Sequence, residues 1–176
     1  FKKILSLINF YKIDLVVVGP EEPLVKGLVN FLEKNKVKVF GPNKYASNLE
    51  GSKAFMKKLC KENKIPTADF KICNKKSEVL NFLANCKLPV VVKADGLASG
   101  KGVYICDDKV EAQLAIKEIF DGKFGKAENL LIEEFLKGEE MSFFIISDGK
   151  TIKNFQTAQD HKRALEGDKG KNTGGM

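Results

Sequence analysis

Two lysines flanking a glycine-rich turn carry the most specific chemistry in this sequence. Lys93 ends the apolar run Val90-Val91-Val92, and Lys101 follows Gly96 and Gly100 and precedes Gly102. Glycines let consecutive backbone N–H groups turn toward an anion, and the lysines add mobile positive charge. The ligand such a segment suits best is a polyphosphate. It is not a P-loop, because Gly96 to Gly100 is one residue short and Gly102, not Ser or Thr, follows the lysine. Nor is it a Rossmann turn, since Val103-Tyr104-Ile105-Cys106 reads as a strand and no helix N-terminus would face the phosphates. Pro89 to Cys106 is therefore strand, glycine-rich loop, strand. A plain surface hairpin has the same composition, so the surroundings must decide.

Four further places have residue types suited to a site. Lys53 follows Ser52, a predicted N-cap, and lies in the first turn of a helix, where a cation opposes the dipole; it is either simply solvated or held for a phosphate. Glu21 sits where a predicted strand ends in Gly19-Pro20, at the carboxyl edge where open α/β sheets bind ligands, although an ordinary strand-to-helix turn fits as well. Between Glu133 and Glu140 a strand runs into a short linker. Backbone groups in such a linker can read an adenine edge and a carboxylate beyond it can accept two ribose hydroxyls, or the segment is a charged turn. Arg163 is the single arginine among thirty basic residues and lies beside the single histidine, His161. Its planar fork is a function that lysine does not replace.

The net charge of +7 would suit an anionic partner. Its lysines, however, are spread over every segment and interleaved with glutamates, without the basic stripe and stacking aromatics of a nucleic-acid surface. No nucleic acid is expected. No apolar run approaches the roughly 20 residues of a membrane span, and the start lacks a signal-peptide pattern, so neither a membrane nor export is expected. Cys60, Cys73, Cys86 and Cys106 show no C-x-x-C spacing and read as reduced thiols, which agrees with a cytoplasmic setting.

The elements that must position these groups follow from periodicity. Phe1, Ile4, Leu5, Ile8 and Tyr11 recur at helical spacing. A strand over 13–18, a helix with Leu24, Val25, Leu28 and Leu32 on one face, and a strand over 37–40 imply a parallel βαβ unit. Residues 43–64 are helical, with a break near Gly51. Next come a strand over 69–73, a helix over 77–86 with Val79, Phe82, Leu83 and Cys86 inward, and the two strands of the glycine hairpin. Asp108 with Glu111 opens a second helix with Leu114, Ala115 and Ile119 facing in, and a strand over 129–133 closes the set. The order β-α-β-β-α-β describes a small split unit carrying a phosphate flap. Strands over 141–146 and 151–155 follow. The fold class is α/β, with α+β character in the small unit.

Taken together, VVVKADGLASGKGV, IEEFLKGEE, QDHKR and NTGGM, in this order, resemble the glycinamide ribonucleotide synthetases, the phosphoribosylamine–glycine ligase family of the ATP-grasp superfamily. DLVVVGPEEPLVKG, VFGP and EGSKAFMKKL extend the resemblance over nearly the whole chain. The resemblance implies a partial ATP-grasp fold: a Rossmann-like remnant over 1–47, a helical connection over 48–68, a lid over 69–134 and the start of the central sheet over 135–176. It implies a ligase that joins glycine to phosphoribosylamine through a glycyl phosphate, splits ATP to ADP and phosphate, and serves purine synthesis. Lys53 and Lys93 would hold the ATP phosphates, with Lys93 counted among the catalytic groups, under a flap of Gly96, Ser99, Gly100, Lys101 and Gly102. Glu134 and Leu136 would meet adenine through backbone carbonyl and N–H, with Glu133 nearby and Phe135 between them in the nucleotide-binding set, and Glu140 would take the ribose. Glu21, Asp160, His161, Lys162, Arg163, Asn172, Thr173, Gly174 and Gly175 would line the substrate side, with Arg163, counted with Lys93 among the catalytic groups, as a clamp for phosphate or carboxylate. Magnesium is expected to accompany ATP, with its principal ligands beyond residue 176 and none assigned within the chain. The chain is accordingly expected to be an inactive internal piece of an enzyme that is monomeric and takes only small molecules. Another ATP-grasp carboxylate–amine ligase, and a nucleotide-binding module without catalysis, are the alternatives.

Overall fold

A computed structural model describes residues 1–97, 102–125, 129–159, 163–167 and 169–172. The chain forms two compact units, Phe1–Phe135 and Leu136–Met176.

The first unit opens with α1 (Lys2–Tyr11) and a parallel pair, β1 (Val16–Val17) and β2 (Val39–Phe40), with Val16 opposite Val39. The parallel pairing expected from strand, helix, strand is present. The strand over 13–18 is shorter than its apolar pattern suggests, because β1 pairs with β2 alone and Ile13, Leu15 and Val17 stay exposed. The single helix expected between the strands is two, α2 (Glu21–Val25) and α3 (Leu28–Lys34), separated by Gly27 at φ +87°. A side chain at Gly27 would be strained in that left-handed conformation and would meet the Lys44 side chain. Ile8 of α1, Val18 and Leu28, Val29 and Leu32 of α3 make the local core.

After α4 (Asn48–Gly51), Ser52 caps α5 (Lys53–Glu62), its Oγ accepting from Phe55 N at 3.1 Å. The main core comes next: β3 (Phe70–Cys73), α6 (Lys76–Asn85), β4 (Val90–Ala94), β5 (Val103–Cys106), α7 (Lys109–Phe120) and β6 (Leu130–Glu134). The four strands form one antiparallel sheet in the order β3-β6-β4-β5, so β6 and β4 lie at the centre. Asp108 caps α7, accepting from Glu111 N at 2.8 Å, and the Glu111 carboxylate accepts from Asp107 N at 2.9 Å.

Alternation along the strands divides the sheet into two faces. Cys73, Val90, Val92, Ala94, Cys106, Leu130 and Ile132 pack with Val79 and Leu83 of α6 and Ala112, Ala115, Ile116 and Ile119 of α7. Each large side chain buried there stabilises the fold by about 1.5–3 kcal/mol. Leu114 and Phe82, expected inward, are exposed. Alanines at 112 and 115 let α7 approach the sheet closely, and the stripe 112–115–116–119 leaves Leu114 on the outer side.

In the second unit, β7 (Ile145–Ser147) and β8 (Ile152–Asn154) form a hairpin, and β9 (Arg163–Leu165) pairs antiparallel with β10 (Lys169–Asn172). Asp148 Oδ1 accepts from Lys150 N and Thr151 N at 2.9 and 2.7 Å, which closes the turn between β7 and β8. The strand expected over 141–146 is regular only from Ile145, with one bridge at Ser142 to Ala158. Phe143, Phe144, Ile145, Ile146, Ile152 and Phe155 are exposed within this unit.

Candidate functional site

The site lies on the face of the four-stranded sheet opposite α6 and α7. In the β4–β6 register Lys93 stands opposite Leu131 and Val91 opposite Glu133. Lys93 and Glu133 are thus diagonal neighbours on one face, within reach of long side chains. Lys93 Nζ donates to Glu133 Oε2 at 2.8 Å. A second ammonium, Lys57 of α5, meets the same oxygen at 3.0 Å. Glu133 and Lys57 are only 4% and 3% exposed, whereas Lys93 retains 25%. Glu133 Oε1 is buried without a hydrogen-bond partner among the described residues. An acceptor left so costs about 1–3 kcal/mol or more when charged, and it awaits a donor. Beside Lys93, Val103 and Ile105 of β5 present partly exposed apolar side chains on this face.

A second cluster ties the start of the glycine loop to the N-terminus of α5. The Asp95 carboxylate accepts from Ser52 Oγ at 3.1 and 3.2 Å, Ala54 N at 3.2 Å, Gly96 N at 3.0 Å and Asn129 Nδ2 at 3.2 Å. An anion is favoured there by the helix dipole. Lys53 Nζ in turn donates to Gly96 O at 2.9 Å. Burial holds the Lys53 ammonium below the ordinary lysine value of 10.5; Asp95 opposes that shift, Lys93 adds to it, and Glu50 and Glu133 oppose it. An arriving polyanion would favour the charged form.

Lys53, Lys93, Gly96 and Glu133 are thus drawn to one side of the first unit. Gly96 has φ +92°, and Gly102 O, at the far side of the loop, accepts from Ala94 N at 2.8 Å. Glu134 ends β6 with its N–H donating to Asp69 O at 2.8 Å and its Oε2 accepting from Asp69 N at 3.4 Å, and Phe135 follows it. Glu21 is exposed in the first turn of α2. Leu136 and Glu140 belong to the second unit and are exposed. There the backbones of Arg163 and Asn172 are paired across β9 and β10. Ser99, Gly100, Lys101, Asp160, His161, Lys162, Thr173, Gly174 and Gly175 lie outside the described residues.

Sequence reasoning missed Lys57 and Asp95. Lys57 lies on an amphipathic helix, where lysine ordinarily reads as solvated, and nothing local signals that α5 closes over the sheet. Asp95 had a usable signal: a lone carboxylate entering a basic, glycine-rich loop needs donors, and Ser52 at a helix start offers them.

Solved structures place this architecture in a class. The biotin carboxylase domain of Hydrogenobacter thermophilus 2-oxoglutarate carboxylase, solved with MgADP, ADP and bicarbonate, matches 89% of this chain and 36% of its own with a TM-score of 0.71. At 21% identity that likeness concerns the fold. The Thermotoga maritima phosphoribosylamine–glycine ligase is 36% identical and matches 91% of this chain and 39% of its own, with a TM-score of 0.78. These are ATP-grasp folds, and the family model for the phosphoribosylglycinamide synthetase ATP-grasp (A) domain matches residues 51–176. The model for the N domain of the same synthetase matches residues 1–50. The phosphoribosylamine–glycine ligase of Leptospira interrogans is 51% identical over 165 residues, covering 93% of this chain and 39% of the relative. The chain belongs to the phosphoribosylglycinamide synthetase family. It spans about two fifths of the length of the relatives it matches.

Proposed function

We propose that this chain is the nucleotide-binding part of a phosphoribosylamine–glycine ligase, in which the sheet face carrying Lys93 and Glu133 receives ATP. The observation that carries the reading is the buried Glu133 Oε1, without a hydrogen-bond partner among the described residues, beside the Lys93 ammonium. A base with an amino group supplies the missing donor, and Lys93 and Lys53 supply charge for its phosphates. Glu134, Phe135 and Leu136 extend the base contact along the chain, and Glu140 is assigned to the ribose. Gly96, Ser99, Gly100, Lys101 and Gly102 are assigned to the phosphates. Glu21, the segment 160–163 and residues 172–175 are assigned to the acceptor side, with Arg163 as the anion clamp.

In that reaction ATP supplies a phosphoryl group that converts the carboxylate of glycine to an acyl phosphate, from which the amine of phosphoribosylamine displaces phosphate. The protein's part is positional: to align the reactants, exclude water and offset the charge on the transferring group. Among the described residues no group of three or more His, Cys, Asp or Glu side chains is placed to hold magnesium. Small-molecule partners alone, a cytoplasmic setting and a monomeric whole enzyme accompany this reading. No helix among the described residues is long and apolar enough to cross a membrane.

Calorimetric titration of the chain with ATP and with adenosine, for wild type and Lys93→Met, tests the reading. ATP should bind the wild type, and the substitution should weaken ATP about ten- to hundredfold while changing adenosine much less, because a charge-assisted contact to phosphate is lost. A wild-type chain that does not bind ATP, or a Lys93→Met chain that binds it equally well, would overturn the assignment.

A further inference from the structure

Lys57 has no ligand-binding capacity left, and that is informative. An ammonium carries three donors. Lys57 Nζ donates to Thr67 Oγ1 at 2.8 Å and Ala68 O at 3.1 Å and pairs with Glu133 Oε2 at 3.0 Å, so all three are committed. Two of those acceptors belong to the connection between α5 and β3, and the ammonium also stands 5.5 Å from the centroid of the Phe70 ring. It is a fixed charge. Lys93, by contrast, keeps a quarter of its side chain exposed to solvent, and its partner among the described residues is Glu133 Oε2. With Lys93 alone the Glu133 carboxylate would be free to turn out of its present plane. With Lys57 fixed against one oxygen that plane is held, and the other oxygen, Oε1, has no hydrogen-bond partner among the described residues.

A carboxylate between two ammonium groups accepts hydrogen bonds and donates none. Opposite an amino group it is complementary; opposite a carbonyl oxygen it is repulsive and leaves both acceptors unpaired. We infer that Lys57 is a positioning residue that locks Glu133 with Oε1 facing the base and thereby makes the site select an amino-purine over an oxo-purine. The inference rests on the reading that the base lies at Glu133. It adds a residue outside the contact surface as the source of the selectivity.

ATP and ITP, which differ at the six-position substituent, separate the two ideas. The chain, Lys57→Met and Thr67→Val are titrated with both nucleotides, with thermal unfolding as the check on folding. Thr67 is exposed and touches Lys57 without touching Glu133 among its hydrogen bonds. The wild type should prefer ATP by about tenfold or more, since a buried polar group is left unpaired with ITP. A wild type that binds both equally sinks the placement of the base at Glu133. Given discrimination in the wild type, Lys57→Met should bring the ATP-to-ITP ratio within about threefold, and Thr67→Val should lower it about two- to fivefold. A role in stability alone would weaken both nucleotides together. An undiminished ratio in Lys57→Met, or in Thr67→Val where Lys57→Met does not fold, overturns the inference.

Discussion

The two faces of the four-stranded sheet are built from the same strands and differ in whether charge is buried among their apolar residues. Toward α6 and α7 the alternate residues of β4 and β6, Val90, Val92, Ala94, Leu130 and Ile132, are apolar and nearly inaccessible to water. On the other face the intervening positions Val91 and Leu131 are also buried and apolar, but Lys93 and Glu133 lie beside them and α5 adds Lys57, so charge is buried where apolar residues would pack at lower cost. Replacing a buried ion pair with well-packed apolar groups is often neutral or stabilising. The difference teaches that period-two alternation lets one sheet carry its stability on one side and its chemistry on the other.

The largest effect should come from removing the shared carboxylate. Glu133→Ala leaves Lys57 buried without a counter-charge and should cost about 3–5 kcal/mol in urea denaturation. The double substitution Lys57→Met with Glu133→Leu should regain stability to within about 1 kcal/mol of the wild type, or exceed it, while nucleotide binding stays impaired. A double variant as unstable as Glu133→Ala would break the comparison, because the polar face would then be structural. Ile132→Val, one residue away on the apolar face, should cost about 0.5–1.5 kcal/mol and leave the ATP affinity of the folded chain unchanged. A change in affinity as large as the change in stability would show that the faces are not separable.

The smallest effect concerns Lys53, whose folded pKa is lowered mainly by burial. Between that lowered value and the ordinary 10.5, the unfolded chain binds more protons than the folded one, so stability should rise with pH through this alkaline window. The penalty is fully present below the folded pKa and relieved above the unfolded one. Lys53→Met should flatten that rise in pH-dependent denaturation; an identical slope would place the lysine in solvent.

Much of this division was legible in the sequence. The order β-α-β-β-α-β followed from short β-branched runs, the Asp108 cap and the glycine hairpin, all local signals. Lys93 was legible because it ends an apolar run before a glycine loop. Lys57 was not, because its burial depends on α5 covering the sheet, a contact between segments far apart in sequence. Glu133 was read as a neighbour of the base, but the unfilled Oε1 exists only once Lys57 and Lys93 have both claimed the other oxygen. The inward face of α7 was misjudged at Leu114 because size suggested burial, whereas the contact is made by Ala112 and Ala115.

The central claim is that the polar face is a nucleotide site read through Glu133, and a crystal structure of the chain with a non-hydrolysable ATP analogue tests it most directly. The account predicts the amino group of the base about 3 Å from Glu133 Oε1, Lys57 unmoved against Oε2, and the phosphates beside Lys93 and Lys53. A nucleotide bound elsewhere, or one on this face with Glu133 Oε1 still unpaired, would contradict it.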